Sequence, residues 1–338
     1  MKKISTAHLI LLFVIIVQIL LSVIIEVGNI QLPMVVSLWL SQAIILLPFI
    51  IYCVIKKQNP LKLIRFKKIK IRMALLSVLI AFCSYPVVVF LNFVSMLFVE
   101  NAMTDVMSEV LSMGLLVGLL FVAIIPAIVE ETIFRGVVYH TYSKRKPIVG
   151  IFLSALLFGL MHGNFNQMPY ACFLGIVMAF LMEACDSIIA PMILHFTLNA
   201  SSTLISWFTA GSVENTVSST STDLKAILLE SYKISFEQMG MEIAEEQLAS
   251  MMPAIIVFLV IFYAIIAIFA CVIIFVLIYA IFRMNHKTLS DVFKADRSET
   301  AFVERRNGKL RKNRMIDGYV ITFIVFTVTI CVLNTIVN

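Results

Sequence analysis

Charged side chains are scarce in this chain. Asp, Glu, Lys and Arg together make up 14% of its 338 residues, whereas apolar residues make up 61% and the mean hydropathy is +1.02. Soluble domains carry about 25% charged residues and about 45–50% apolar ones. A chain of this composition cannot cover its surface with polar side chains, so the sequence predicts an integral membrane protein.

Several sequence signatures of soluble enzymes are also missing. The chain has no HExxH, GxSxG or phosphate-binding loop pattern, so nothing in it supports a zincin, a serine hydrolase or a nucleotide-binding protein. Its six cysteines lie in or beside apolar segments without CxxC spacing, and we expect packed thiols rather than disulfides or a metal knuckle. No internal repeat of the kind found in many transporters is present.

Apolar runs recur along the chain, and a run of about 20 residues is long enough to cross the bilayer. The run at 110–142 exceeds one crossing, so we expect it to tilt, to kink near Pro126 or to extend beyond the lipid. The runs predict an all-α, polytopic helical bundle of about nine transmembrane helices, near residues 8–28, 33–55, 73–99, 110–142, 148–163, 169–185, 187–208, 252–283 and 317–337.

The basic residues are unevenly distributed, and their distribution sets the predicted orientation. All but three of the 26 Lys and Arg residues lie in the N-terminus and in the loops 56–72, 143–147 and 283–316. Under the positive-inside rule these segments are cytoplasmic, so we predict a multi-pass protein of the cell membrane with a cytoplasmic N-terminus. The same rule explains the basic loop 56–72 as a topology determinant on the lipid bilayer, and we expect no nucleic-acid partner.

Four regions follow from this organisation. They are N-terminal transmembrane helices (1–104), a membrane core that carries the motifs below (105–208), an extracytoplasmic acidic loop (209–251), and C-terminal transmembrane helices (252–338) with the basic cytoplasmic loop 284–316. The acidic loop holds seven acidic residues against two lysines and opens with a Ser/Thr-rich stretch. We expect a short helix within it, around residues 224–248.

The few charged residues inside the predicted spans are grouped, and a charge at membrane depth indicates a functional site. The stretch IVEETIFRGVVYH places Glu130, Glu131 and Arg135 in the fourth span. Glu131 and Arg135 are four residues apart on one helix face, in the favourable order for an ion pair. Glu130 points about 100° away and is left free to act as a general base. A purely structural ion-pair cluster is the alternative, but it would leave one carboxylate without a partner.

Two further polar groups lie on later spans. Phe158 and His162 are four residues apart in LLFGLMHGNFNQ, and His195 and Asn199 share a helix face in PMILHFTLNASS. A lone histidine in a membrane helix more often hydrogen-bonds a neighbouring helix than acts as a catalyst. Two histidines at membrane depth alongside Glu130 instead indicate one site, in which His195 and Asn199 can both donate hydrogen bonds to an oxyanion.

These motifs resemble those of the CPBP family of CAAX proteases and bacteriocin-processing enzymes, also called the Abi or type II CAAX prenyl endopeptidase family. The resemblance covers roughly residues 105–205 and includes the Phe134-Arg135-Gly136 ending of the first motif. The matching patterns, in order, are Glu130-Glu131-x-x-x-Arg135, Phe158-x-x-x-His162 and His195-x-x-x-Asn199. The resemblance implies an intramembrane endopeptidase with a conical, cavity-containing helical core, whose substrate is a peptide or protein in the membrane or associated with lipid.

The resemblance also implies a role for each motif residue. Glu130 with His162 would activate a water, and His195 with Asn199 would stabilise the tetrahedral oxyanion. Three residues would hold the site in shape: Glu131, Arg135 and Phe158.

Two mechanisms stay open for the water activation. In one, Glu130, His162 and His195 hold a divalent metal, with zinc among the candidates, and the metal keeps an open position for water. In the other, Glu130 polarises the water directly and no cofactor takes part. We favour the second mechanism.

The expected activity would serve bacteriocin self-immunity, peptide maturation or CAAX-type processing. Two alternatives from other classes stay open: an ion-coupled transporter, which also buries Glu, His and Arg, and a non-catalytic membrane regulator that binds a sensor kinase or a bacteriocin. The missing repeat argues against the transporter. The complete motif set argues against a regulator that has lost its activity.

Overall fold

The computed structural model describes residues 4–101, 103–143, 146–213, 224–241, 243–294, 303–306, 309–312 and 316–337. Within these ranges the chain is a bundle of α-helices, as predicted, with one two-stranded antiparallel hairpin (β1, Val303–Arg306; β2, Lys309–Lys312) added in the basic loop 284–316. Residues 214–223, which include most of the Ser/Thr-rich stretch of the acidic loop, and residues 295–302, 307–308 and 313–315 of the basic loop lie outside the described residues.

The helices follow one another with short connections. In chain order they are α1 (Ile4–Val27), α2 (Met34–Ile55), α3 (Pro60–Leu63), α4 (Ile71–Ser95), α5 (Met103–Ser112), α6 (Leu115–Gly118), α7 (Ile125–Glu131), α8 (His140–Ser143), α9 (Pro147–Met161), α10 (Met168–Cys185), α11 (Ile189–Val213), α12 (Leu224–Gln238), α13 (Glu245–Met284), α14 (Ser290–Phe293) and α15 (Gly318–Val337). Two π-helical segments, Leu119–Ile124 and Thr132–Tyr139, join α6, α7 and α8 into one continuous helix, Leu115–Ser143, which we call the motif helix.

Seven helical stretches of the described chain are long and apolar enough to cross a membrane, which confirms the prediction of a multi-pass helical bundle. Two of the nine predicted spans are not among the seven. Helix α9 has only 15 residues, and α11 is 25 residues long but less apolar, because it carries His195 and Asn199. The count of nine stays a prediction. The seven are Ala7–Val27, Met34–Ile55, Ile71–Ser95, Leu115–Ser143, Met168–Cys185, Glu245–Met284 and Gly318–Ile336.

The motif helix and α10 occupy the centre of the bundle. Half of the most apolar window of each is buried inside the protein, compared with 22–28% for the other five candidate spans. Helix α9 packs against both of them, and α11 packs against the motif helix, α10 and α4. The outer helices expose large apolar side chains, such as Phe262 and Phe269 on α13, and these meet the lipid.

The motif helix starts later than the sequence predicts. The predicted span 110–142 is interrupted at Gly114, whose φ of +108° lies in the region that favours glycine. The residues before it belong to α5, and the motif helix then runs for 29 residues. At about 1.5 Å per residue its length is about 44 Å, which exceeds about 30 Å of hydrocarbon, so the helix tilts or extends beyond the lipid.

The predicted short helix at 224–248 is wrong as a single unit. Helix α12 ends at Gln238, and Gly240 follows with a φ of +72° that breaks the helix. Residues from Glu245 onward instead begin α13, which continues for 40 residues into the membrane-spanning region. The ends of the predicted loop 209–251 therefore belong to α11, which ends at Val213, and to α13, which begins at Glu245.

The segments predicted to be cytoplasmic gather at one end of the bundle. Asp186, in the turn between α10 and α11, pairs with Arg65 at 3.0 Å and also with Lys67. Partial burial raises the pKa of Asp186, but the hydrogen bond from Lys67 and the charge of Arg65 outweigh this and hold the pKa below its usual value. The ionised carboxylate fastens the basic loop 56–72 to this turn. That this end faces the cytoplasm stays a prediction.

The first and last described helices meet beside the end of the motif helix. His8 on α1 is fully buried, and its Nδ1 lies 2.7 Å from Oδ1 of Asp317, directly before α15. The other ring nitrogen of His8 contacts the hydroxyl of Tyr142 in α8. Asp317 also accepts a hydrogen bond from the backbone N–H of Val320 in the first turn of α15. One buried contact thus joins α1, the motif helix and α15.

Helices α9 and α10 approach closely where Gly175 faces Ala155. A Cβ added at Gly175 would lie 2.8 Å from the Cα of Ala155, so the two backbones would have to move apart. We expect Gly175→Ala to lower the free energy of unfolding by about 1–3 kcal/mol, as overpacking does in other cores, measured as a lower thermal midpoint of the purified protein. Gly318→Ala adds a Cβ with no atom within 4 Å and should leave the midpoint unchanged. Equal midpoints for the two variants would contradict this packing.

Candidate active site

The first motif lies at the end of α7 and in the second π-helical segment. Glu131 and Arg135 are completely buried, and Nη1 of Arg135 donates a 2.9 Å hydrogen bond to Oε1 of Glu131. A buried charge without a partner is costly, so each residue needs the other. The structure thus forms the ion pair that the spacing predicts, and the supporting role of the pair stays a prediction.

Glu130, the neighbouring carboxylate, has a different environment. Its side chain is 17% exposed, and its Oε2 lies 3.9 Å from Nε2 of His195. Among the described residues, none forms a hydrogen bond with the Glu130 side chain. Glu130 is therefore the carboxylate that Arg135 does not bind directly and that a substrate or a water molecule can reach.

His195, on α11, binds the buried carboxylate from the opposite side. Its Nδ1 lies 2.9 Å from Oε1 of Glu131, the same oxygen that accepts from Arg135. Because an ionised carboxylate only accepts hydrogen bonds, Nδ1 carries a proton and donates it to this bond. Nε2, on the other side of the ring, faces Glu130. Glu131 therefore fixes the orientation of the ring and the nitrogen that the ring presents to Glu130.

Phe158, on α9, contacts one residue from each motif. The guanidinium carbon of Arg135 lies 4.3 Å from the centre of the Phe158 ring, which is the geometry of a cation–π interaction. The ring centres of His162 and His195 lie 5.0 and 6.1 Å from that of Phe158, both edge-on. In the described part of the chain, Nε and Nη2 of Arg135 have no hydrogen-bond partner, so the ring face compensates the buried cation in their place.

His162 lies directly after the last residue of α9. Its Nδ1 lies 2.9 Å from the carbonyl oxygen of Phe158, one helical turn earlier. A carbonyl oxygen only accepts hydrogen bonds, so Nδ1 is the donor and the neutral ring keeps its lone pair on Nε2. His162 can therefore accept a hydrogen bond or a proton at Nε2.

Asn199 is directed to the backbone of the motif helix rather than to another motif residue. Its Nδ2 donates a 2.8 Å hydrogen bond to the carbonyl oxygen of Val122. Nδ2 carries two hydrogens, so one N–H and the side-chain oxygen are left for other partners. The structure places Asn199 one turn after His195 on α11, and its role as an oxyanion donor stays a prediction.

The placement of the donor atoms does not fit a metal centre. In the ranges that the structure describes, no three His, Cys, Asp or Glu side chains are close enough together to hold a metal ion, and this includes the predicted set of Glu130, His162 and His195. In addition, Nδ1 of His195 is already bonded to Glu131. A metal would require these side chains to move.

Two buried polar residues near the site are not singled out by the sequence motifs. Tyr139 lies one turn beyond Arg135 and donates a 2.6 Å hydrogen bond to Oε2 of Glu183 on α10, a residue that is 3% exposed. This bond ties the motif helix to α10. The sequence offers one signal for this bond, since Glu183 is an acidic residue within the apolar run at 169–185. Its partner lies on another helix, so the spacing of residues does not predict the hydrogen bond.

An apolar cleft of about 270 Å³ lies between the motif helix and α11. None of the motif residues lines it, although its walls include the helices that carry Glu130 and His195. Its walls come from the basic loop, from the motif helix and from α11, and consist of Phe66, Ile124, Ala127, Ile128, Ile189, Met192, Ile193 and Phe196.

Comparison with known families finds a match to the central part of the chain. Residues 112–201 match a family model described as type II CAAX prenyl endopeptidase Rce1-like, and this match covers about a quarter of the chain and all three motifs. No curated protein and no solved structure matches the chain. The match confirms the family resemblance of the motifs: residues 112–201 of this multi-pass membrane protein are similar to the type II CAAX prenyl endopeptidase Rce1-like family.

Proposed function

We propose that this chain is an intramembrane endopeptidase that hydrolyses a peptide bond with a water activated by Glu130 and His162. The arrangement around Glu131 is the observation that supports it most directly. Oε1 of Glu131 accepts hydrogen bonds from both Arg135 and His195, whereas the adjacent Glu130 has no hydrogen bond to a described residue and is partly exposed. A carboxylate of this kind at membrane depth is suited to take a proton from water.

The proposed first step uses one atom from each of two residues. Nε2 of His162 accepts a hydrogen bond from the water, because its Nδ1 donates to the carbonyl of Phe158. Glu130 takes a proton from the same water, and the oxygen attacks the carbonyl carbon of the scissile bond. When the tetrahedral intermediate collapses, the C–N bond breaks and the proton held by Glu130 passes to the leaving amine.

The proposed oxyanion donors are the two residues on α11. Two carboxylates face one arginine in this cluster, so a protonated His195 brings the buried charges into balance. Nδ1 of the imidazolium remains bonded to Glu131, and Nε2–H is left to donate to the oxyanion. Asn199 adds its second N–H. Fixed donors of this kind stabilise an oxyanion without reorganisation, and each contributes about 10²–10³-fold to kcat.

The apolar cleft supports a substrate that is embedded in the membrane or attached to lipid. Its walls come from the basic loop, the motif helix and α11, of which the last two carry Glu130 and His195, and the lining side chains are aliphatic and aromatic. An apolar chain held there would bring the adjacent peptide bond towards the carboxylates. Cleavage of such a substrate would serve bacteriocin self-immunity, peptide maturation or CAAX-type processing.

Removing the water-activating groups should abolish cleavage without unfolding the protein. We expect Glu130→Gln and His162→Ala each to lower kcat by about 10²-fold or more, because general acid–base groups contribute about 10²–10⁴-fold. Purified protein in lipid vesicles is incubated with farnesylated and unmodified apolar peptides, and the products are identified by mass spectrometry. Glu230→Gln and His286→Ala, at positions outside the site, are the matched controls. Cleavage retained by both active-site variants would rule out this mechanism.

The buried ion pair should show its role through a combination of variants. Arg135→Met leaves the Glu131 carboxylate without its arginine, and we expect it to cost about 3–5 kcal/mol, measured as a lower thermal midpoint. Glu131→Gln combined with Arg135→Met removes both charges and should recover most of the midpoint. Cleavage should stay absent in the double variant, because His195 loses the carboxylate that orients it. A double variant no more stable than Arg135→Met alone would contradict the pairing.

The placement of the donor atoms predicts cleavage that does not depend on a bound metal. Because Glu130, His162 and His195 are not grouped as metal ligands, we expect kcat to be unchanged after treatment with EDTA. Elemental analysis of the active protein should find far less than one ion per chain. Loss of cleavage on chelation, with recovery on adding zinc, would contradict the metal-free mechanism and support these three residues as ligands.

A further inference from the structure

Pro126 removes a backbone donor from the motif helix. In α-helical register the N–H of residue 126 would donate to the carbonyl of residue 122, and in the π-helical register of the preceding segment to that of residue 121, but proline has no N–H. The carbonyl of Val122 therefore lacks its ordinary helical partner, at a position where Val122 is half-buried and Pro126 is buried. A buried carbonyl without a donor costs free energy, so this one needs a donor from outside its own helix.

The donor is the side-chain amide of Asn199, which lies 2.8 Å from the Val122 carbonyl oxygen. The helix is already irregular on the N-terminal side of the proline, because the N–H of Ile125 donates to Leu120, five residues earlier. This π-helical segment packs directly against α11. The proline, the irregular turn and the amide are therefore parts of one contact between the motif helix and α11.

We propose that Pro126 is a positioning residue for Asn199. Pro126 leaves the Val122 carbonyl without a backbone donor, so this carbonyl accepts one N–H of the Asn199 amide. The bond fixes the amide and thereby sets the direction of its second N–H. The same contact sets the separation of the two helices at the site, since Pro126 lies about one turn before Glu130 and Asn199 lies one turn after His195. The catalytic part of this inference rests on the proposed function, whereas the contact itself does not.

A double-mutant cycle of Pro126→Ala and Asn199→Ala, measured as thermal midpoints of the full chain, tests the contact. In the parent protein, Asn199→Ala leaves the Val122 carbonyl without a donor and should lower the midpoint. With Pro126→Ala present, the turn can adopt α-helical register, in which the new N–H at position 126 donates to the Val122 carbonyl, so the same change should lower the midpoint by less than half as much. Equal losses in the two backgrounds would overturn the proposal. If Pro126→Ala does not accumulate in the membrane, Pro126→Ser restores the same N–H and takes its place.

Pro48→Ala is the matched control. It also restores an N–H inside a membrane helix, facing the carbonyl of Ile44 in α2, and no side chain of the described residues donates to that carbonyl. The midpoint loss caused by Asn199→Ala should therefore be the same with and without Pro48→Ala. A loss that Pro48→Ala reduces as much as Pro126→Ala does would show a general effect of prolines and overturn the specific contact.

The kinetics of the same variants test the positioning. Pro126→Ala releases the Asn199 amide, so kcat should fall about tenfold while KM stays within about twofold, because the donor acts on the transition state. Pro48→Ala should leave both values unchanged. An unchanged kcat in Pro126→Ala would overturn the positioning role even if the midpoints are coupled. Cleavage retained by Glu130→Gln would instead reject the proposed function and leave the midpoint cycle as a valid test of the contact.

Discussion

One carboxylate oxygen, Oε1 of Glu131, joins the elements of the site. It accepts a hydrogen bond from Arg135 on its own helix and another from His195 on α11, with all three groups almost completely removed from solvent. In a low-dielectric interior such bonds are stronger than in water, and each charge left alone would be costly. The orientation of the His195 ring follows from this contact, and so does the direction of its Nε2 towards Glu130.

The motif helix departs from regular α-helical geometry around this centre. A π-helical segment begins directly after Glu131 and contains Arg135, and segments of this kind occur frequently at functional sites. Within it, Gly136 allows the basic loop to approach, since a Cβ there would lie 2.7 Å from Cγ2 of Ile64. Arg65, the next residue of the same loop, pairs with Asp186. The irregular helix and the glycine together allow the basic loop to pack against the motif helix directly after Arg135.

The sequence predicts those parts of the site that depend on local geometry. Glu131 and Arg135 are four residues apart on one helix, so their distance follows from the helix itself, and the apolar runs similarly predict most of the spans. The bond from Asn199 to Val122 joins residues 77 apart, and the bond from Tyr139 to Glu183 joins residues 44 apart. Such pairs meet only because helices pack in a particular arrangement, which spacing does not encode. The π-helical segments also depend on how the helices pack, so the spacing of residues does not predict them.

The contact of His8 with Tyr142 and Asp317 has a consequence for biosynthesis. Among the described helices, α1 leaves the ribosome first and α15 last, so the carboxylate partner of His8 arrives only after the other described helices have been made. A polar ring without its partner is unfavourable in a bilayer. A partly made chain that ends before Asp317 therefore lacks the carboxylate that His8 contacts, and its assembly stays incomplete until α15 is made.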